Sequence, residues 1–452
     1  MGIKLVVFDL DGVLMDSCDI HYRGLNEALK NISKEYCISH EDHVTRYNGL
    51  STRTKLKMLV EEGLNESLVE EIFQYKQGIT SNVISKTLQK SQRLIDILTF
   101  LKTQDIQIAC ATNCIRATLD AALKTLGIIH LFTFTLSNED VINQKPHPDI
   151  YIECHKRSGI SSENTLIFED SPIGLKAAYD SNSKVCRVCS PKELTLDFVM
   201  SAIQPVNIVI PMAGAGSRFA TAGYSDPKPL IPVFNKPMIA WVVDNLRLPN
   251  AKFIFVIRSD YPDSCKHFLT EIAPNCSIVE VDKITEGAAC TVLLTKQWID
   301  NDVPLIIANS DQYIEFSISE FFHSAIKSGD DGKISVFDGN RNPKWSYASV
   351  VDGYVNEVRE KDPFSDYATT GVYMWKHGKD FVRFANQMIS KNIRVNNEFY
   401  VVPTYNEAIQ YGLKITISEC SKMWGLGTPE DLEFFINNYS LKYHTRHNVH
   451  CL

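Results

Sequence analysis

Four short segments carry side chains suited to moving a phosphoryl group. Phe8-Asp9-Leu10-Asp11-Gly12-Val13 sets two carboxylates two residues apart. Ala111-Thr112-Asn113 offers a hydroxyl, Lys145-Pro146-His147-Pro148-Asp149 an ammonium, and Phe168-Glu169-Asp170-Ser171 a second pair of acids. Transfer through a covalent intermediate needs such parts. A carboxylate attacks phosphorus. A second carboxylic acid just beyond it protonates the leaving oxygen and later activates water. A hydroxyl and a lysine hold the phosphoryl oxygens. Further carboxylates hold Mg2+, which keeps an anionic nucleophile and an anionic phosphate from repelling each other. Asp9 and Asp11 can face one pocket, because side chains on a strand alternate with period two. One Asp-x-Asp is weak evidence, since acidic loops are common; four segments in this order carry the reading.

A second constellation begins with Ala213-Gly214-Ala215-Gly216-Ser217-Arg218, directly after the apolar run Asn207–Pro211. Glycines such as Gly214 and Gly216 let backbone N–H groups approach phosphates closely, and Arg218 adds charge and a fork of donors. The string continues into Asp226-Pro227-Lys228-Pro229-Leu230-Ile231-Pro232-Val233 and Lys236-Pro237-Met238. A dinucleotide-binding fingerprint does not fit: there is no third glycine, and Pro-Lys-Pro breaks the expected helix.

The elements that must hold these groups are legible as alternating patterns. Ile3–Phe8, Ile106–Ala111, Leu131–Thr135, Thr165–Phe168 and Lys184–Val188 read as buried strands. Helical patterns over Ile115–Leu126, Pro148–Lys156 and Pro172–Tyr179 separate most of them, which predicts a parallel, doubly wound sheet. The stretch from about 16 to 85 is helical throughout and reads as a cap over the carboxyl edge of that sheet. A fresh α/β pattern starts at Asn207 and runs to about Tyr439. The expected organisation is a first domain over 1–200, a second over 205–440, and a tail over 441–452, with the boundary between Lys192 and Pro205.

Over roughly the first 190 residues the four segments resemble the haloacid-dehalogenase superfamily, in the branch of β-phosphoglucomutase and the capped sugar-phosphate phosphatases. The resemblance implies Asp9 as nucleophile and Asp11 as general acid/base. It implies Thr112 and Lys145 as phosphate binders, with Asn113 beside them. Asp170, with Asp9 and the backbone carbonyl of Asp11, would be the metal site, helped by Glu169. His21 and Arg53 fall in the cap, where that branch contacts substrate. The second half resembles the sugar-phosphate nucleotidyltransferases, Rossmann-like with an added mixed sheet. That implies Gly214, Gly216, Ser217, Arg218 and Lys228 at the triphosphate. Thr285-Glu286-Gly287-Ala288-Ala289 would be the base-and-ribose loop, and Asp311 the metal-binding aspartate. Lys361 would hold the acceptor phosphate; Gly371-Val372-Tyr373 and Asn397-Glu398-Phe399 would line the acceptor site. Many relatives carry an aspartate where this chain has Gly425, so Glu398 is the candidate to supply the missing carboxylate.

Bulk properties limit the alternatives. The chain has 452 residues, too many for one ordinary core. A net charge of -8 is poor footing for nucleic-acid or membrane binding. The 12 cysteines lack framework spacing, no run reaches membrane-span length and the start shows no long apolar signal region, so a reducing, cytoplasmic setting is expected. Cys186-Arg187-Val188-Cys189 sits on an expected strand and reads as core rather than redox or zinc chemistry. His444, His447, His450 and Cys451 read as a tail that chelates metal only adventitiously. The expectation is a bifunctional, Mg2+-dependent enzyme that makes a nucleotide-activated sugar or another phosphorylated small molecule, in the manner of surface-polysaccharide gene sets. Its partners would be a nucleoside triphosphate and a phosphorylated sugar or small alcohol. Open alternatives are a mutase in place of the phosphatase, a glycosyltransferase or nucleotide-sugar binding module in place of the nucleotidyltransferase, and a scaffold with one inactive half. A homo-oligomer is also left open.

Overall fold

The computed structural model describes residues 2–47 and 50–439. The chain divides into two compact units, Met1–Ile203 and Gln204–Leu452. The histidine-bearing tail lies outside the described residues.

The first unit is built on five strands: β1 (Leu5–Phe8), β2 (Gln107–Ala111), β3 (Phe134–Leu136), β4 (Thr165–Glu169) and β5 (Lys184–Arg187). They pair in the order β3-β2-β1-β4-β5, all parallel. The continuous apolar run Leu-Val-Val-Phe of β1 follows from burial on both faces. Val6 and Phe8 pack with Leu98, Leu119 and Leu123 on one side, while Leu5 and Val7 pack with Ile150, Tyr151 and Ala177 on the other. The chain reverses its winding between β1 and β4, so ligand-binding loops converge there. The third strand begins later than its apolar run suggested. Ile129–Leu131 makes a 3-10 turn, and Thr133 closes onto Ile108 with its backbone N–H and its Oγ1 before β3 starts.

The segment after β1 is helical as expected, with helices Cys18–Ile32, Thr52–Glu61 and Val69–Thr87. They share their own core of Leu25, Leu29, Leu56, Leu59, Leu64 and Ile72. Ser51 starts the middle helix by accepting a hydrogen bond from the backbone of Thr54.

The second unit has a mixed sheet. Its strands are β6 (Val206–Pro211), β9 (Ala251–Arg258), β10 (Ser277–Val281), β11 (Leu305–Ala308), β13 (Gly332–Asp338), β16 (Tyr367–Trp375) and β17 (Ile415–Glu419), numbered in chain order with β7 (Pro232–Val233), β8 (Lys236–Pro237), β12 (Gln312–Glu315), β14 (Tyr347–Val351), β15 (Tyr354–Arg359) and β18 (Lys422–Gly425). The order is β10-β9-β6-β11-β16-β13-β17. The four strands β10, β9, β6 and β11 are parallel; β16 runs against both β11 and β13. An aromatic cluster of Phe219, Trp241, Trp424, Phe435 and Tyr439 anchors the short helix Ser217–Thr221 that follows the Gly-rich loop.

Candidate active sites

In the first unit the expected catalytic groups meet at the carboxyl ends of β1, β2 and β4. Lys145 is buried and donates from Nζ to Asp9 Oδ1 (2.7 Å), Glu169 Oε1 (2.6 Å) and the Ala111 carbonyl (3.0 Å). Tyr151 donates its hydroxyl to the same Glu169 oxygen at 2.7 Å. Asn113 braces this arrangement: its Oδ1 accepts from the Lys145 backbone N–H, and its Nδ2 donates to the Lys145 carbonyl. It therefore positions the lysine, a role that its place in the motif did not reveal. Thr112 is buried, and its Oγ1 accepts from the Cys114 backbone N–H at 3.1 Å, which leaves the hydroxyl proton free to donate.

Asp11 is held differently. His21 Nε2 donates to its Oδ1 at 3.1 Å, and the Cys114 thiol donates to its Oδ2 at 2.8 Å. Burial pushes this carboxyl up, but His21, Cys114 and Ser17 outweigh it and hold Asp11 below the usual range. Asp9 and Asp170 go the other way. Burial raises Asp9 despite Lys145, and burial with the charges of Glu169 and Asp11 brings Asp170 up to about 7. Gly12 makes the crowding possible. Its φ is +76°, and a methyl there would fall 2.0 Å from Asp170 Oδ2.

One oxygen each from Asp9, Glu169 and Asp170 can lie within 4.8 Å of one another. Three acids against one lysine leave negative charge uncompensated, and an all-oxygen donor set suits Mg2+. These residues fit the implied ion.

Arg53 borders the cavity above this centre. Its guanidinium pairs with Glu70 at 3.1 Å and lies over the Phe73 ring. Two lysines that sequence patterns did not single out, Lys55 and Lys76, border the same cavity. Cys186 is buried and Cys189 exposed.

In the second unit the Gly-rich loop, Lys228 and Asp311 come together. Lys228 Nζ lies 2.5 Å from Asp311 Oδ2, and a methyl on Gly216 would rest 3.4 Å from Lys228 Cβ. Gly214, Ser217 and Arg218 are exposed on this loop. The β12–β18 ladder sets Gly425 opposite Gln312, next to Asp311. Glu398 does not fill the gap left by Gly425. It lies with Glu360 and Tyr400, and its charge helps raise both. Among the described residues no group of three ligand side chains gathers at Asp311. Asp311 pairs with Lys228, and one carboxylate suits a Mg2+ ion that substrate phosphates also hold.

Gly287 needs its glycine. Its φ is +135°, and a methyl there would fall 2.4 Å from the Phe399 carbonyl oxygen. The close approach lets Phe399 donate to the Glu286 carbonyl and accept from Ala289 N–H, joining loop 285–289 to segment 397–400. Lys361 also adopts a left-handed backbone (φ +57°), and its Nζ donates to Tyr400 Oη at 2.8 Å. A non-glycine residue in that region is uncommon and is held there by its surroundings. Its neighbour Glu360 is raised by burial and accepts from Ser346.

Each unit matches a known family. Residues 6–188 match the family haloacid dehalogenase-like hydrolase, and residues 208–407 match the family nucleotidyl transferase. The first unit thus belongs to the haloacid dehalogenase-like hydrolases and the second to the nucleotidyl transferases; the chain joins a hydrolase to a transferase. The phosphorylated carbohydrates phosphatase of Thermotoga maritima is 28% identical over 176 residues, 39% of this chain and 80% of that protein. The fructose-1-phosphate phosphatase of Escherichia coli is 24% identical over 175 residues, 38% of this chain and 89% of that protein. Among solved structures, the nucleoside-diphosphate-sugar pyrophosphorylase from Vibrio cholerae RC9 is 26% identical and covers 51% of this chain and 100% of its own, with a TM-score of 0.44.

Proposed function

We propose that the first unit is a phosphatase of phosphorylated sugars or related small molecules, working through a phosphoaspartyl intermediate on Asp9. The observation that carries this is the lysine bridge. Lys145 holds Asp9 Oδ1, which leaves Oδ2 to attack phosphorus. A bond forms between that oxygen and phosphorus while the ester P–O bond breaks. Thr112 and Lys145 hold the equatorial oxygens. Asp11 delivers a proton to the leaving oxygen, then takes one from the water that releases inorganic phosphate. His21 and Cys114 favour its carboxylate form, which the second half needs; the first half therefore requires both donors to let go as substrate enters. Asp9, Glu169, Asp170 and the Asp11 carbonyl would hold Mg2+, which offsets charge between nucleophile and phosphate.

The second unit joins a nucleoside triphosphate to a phosphorylated sugar or alcohol. A phosphate oxygen of the acceptor attacks the α-phosphorus, and pyrophosphate leaves. The Gly214–Arg218 loop and Lys228 receive the triphosphate, while Lys361 holds the acceptor phosphate. The test is a matrix of the five nucleoside triphosphates against sugar and polyol phosphates with Mg2+, following pyrophosphate and inorganic phosphate separately. Both products are expected, each from its own substrate set. Phosphate that appears only as a trace and only after a bisphosphate primer would replace the phosphatase by a mutase.

A further inference from the structure

Beside the all-oxygen group at Asp9 stands a second cluster of different chemistry. Asp11, His21 and Cys114 each offer one ligand atom within 4.8 Å of the others. His21 Nε2 lies 3.1 Å from Asp11 Oδ1, and Cys114 Sγ lies 2.8 Å from Asp11 Oδ2. The three come from separate parts of the fold: the loop after β1, the first turn of helix Cys18–Ile32, and the turn that enters helix Arg116–Thr125. All three are partly buried and border the cavity of about 680 Å³ over the carboxylate centre, which gives an ion its entry path.

Hydrogen bonding does not explain why residue 114 is a cysteine. A thiol is a weak donor, and a serine hydroxyl there would hold Asp11 more strongly. What sulfur adds is affinity for a softer metal. Thiolate, imidazole and carboxylate are the donors that bind Zn2+, and three protein ligands with a fourth position open is a recurring zinc arrangement. Bonds of roughly 2.0–2.3 Å in a tetrahedron put ligand atoms roughly 3.3–3.7 Å apart, close enough to the present spacings that side-chain rotation suffices. The group of Asp9, Glu169 and Asp170 suits Mg2+, whereas the sulfur here disfavours that harder ion. On binding, the Cys114 thiol gives its proton to solvent, and the His21 ring keeps its proton at Nδ1. Lys76, 3.5 Å from that nitrogen on the cavity wall, turns aside. Thiolate and carboxylate together cancel the charge of the ion, so it adds little repulsion toward a neighbouring Mg2+.

We propose that Asp11, His21 and Cys114 form a Zn2+ site that switches the first unit off. The bound ion occupies the carboxylate that must deliver and then accept a proton, so hydrolysis stops while Mg2+ stays at its own site. The inhibition rests on the phosphatase reading; the binding does not.

Binding is tested on the full chain with Co2+ as a coloured substitute for Zn2+. A thiolate-to-cobalt charge-transfer band should appear, and Zn2+ should bleach it. The chain has 12 cysteines, so the readout is the difference between wild type and Cys114→Ser, which should lose the band of one ion per chain. Inhibition is read on p-nitrophenyl phosphate hydrolysis in saturating Mg2+, with zinc buffered far below it and each variant scaled to its own rate without zinc. Cys114→Ser and His21→Gln should each raise the zinc concentration for half inhibition by at least about tenfold, the scale on which even a supporting group weakens a metal site. Raising Mg2+ should not relieve the wild-type inhibition. Equal cobalt bands in wild type and Cys114→Ser overturn the site. Zinc inhibition that survives both substitutions and yields to Mg2+ overturns it as well, and places zinc on Asp9 and Asp170 instead. Hydrolysis no faster than that of Asp9→Asn would overturn the phosphatase reading, and the cobalt difference would still decide the site.

Discussion

Lys145 has three tasks at one atom: it neutralises Asp9, neutralises Glu169 and is aimed by the Ala111 carbonyl. Removing one partner of a buried charge cluster costs about 3–5 kcal/mol, since the remaining charges lose their compensation. Lys145→Met should therefore lower the stability of the first unit by about 3 kcal/mol in denaturant melts and abolish phosphate release. Asp9→Asn is a cleaner probe. It preserves shape and relieves acid crowding, so the melt should hold or improve while phosphate release falls to background and no phosphoenzyme appears by mass. A variant that still turned over would remove Asp9 as nucleophile. In the second unit, Gly287→Ala would push a methyl into the Phe399 carbonyl at a φ unsuited to alanine. Pyrophosphate release should drop at least about tenfold, with phosphate release from the first unit as the internal control; an unchanged rate would detach loop 285–289 from the site.

At the scale of elements, the cap carries a burial cost of its own. His43 is fully buried, and neither ring nitrogen has a hydrogen-bond partner. Burial, with the charge of Lys55, brings it down to about 4. The unfolded chain binds that proton near pH 6.5 and the folded cap only near 4, so stability should fall as pH drops through this window. The loss is at most about 3.5 kcal/mol, from about 1.4 per unit. His43→Phe should flatten the acid limb of the melting curve below pH 6.5; an identical limb would assign it to other groups. The strands, by contrast, were readable in advance. A parallel strand buried on both faces shows as an apolar run, and β1, β2 and β4 each deliver a motif residue at their ends. What sequence did not reveal was which face of the helix after Ser51 turns inward. Arg53 and Lys55 are two positions apart, about 200° around the helix. The resemblance pointed to Arg53 and did not single out Lys55; packing against helix Val69–Thr87 pairs Arg53 with Glu70, and both residues border the cavity. The same limit applies to Glu398. Its motif suggested a partner for Asp311, but the Phe399 backbone pairing with Glu286 and Ala289 fixes that segment beside Lys361.

At the scale of the whole chain, each unit has its own sheet, its own core and its own charged centre. Every hydrogen bond named at either site stays within its unit. The two chemistries should then be separable by single substitutions. Asp9→Asn should remove phosphate release and leave pyrophosphate release intact; Arg218→Ala should do the reverse. An equimolar mixture of these two variants, given a doubly phosphorylated substrate, a nucleoside triphosphate and Mg2+, should carry the material through both steps. The intermediate would leave one chain as a free phosphomonoester and enter another, so the mixture should show a lag that shortens as protein concentration rises. Wild-type protein should show the same concentration-dependent lag if the product passes through solution between its own two sites. A wild-type lag that ignores concentration, beside a mixture that lags, would mean direct transfer between units. Loss of both activities from either single variant would contradict independent sites altogether.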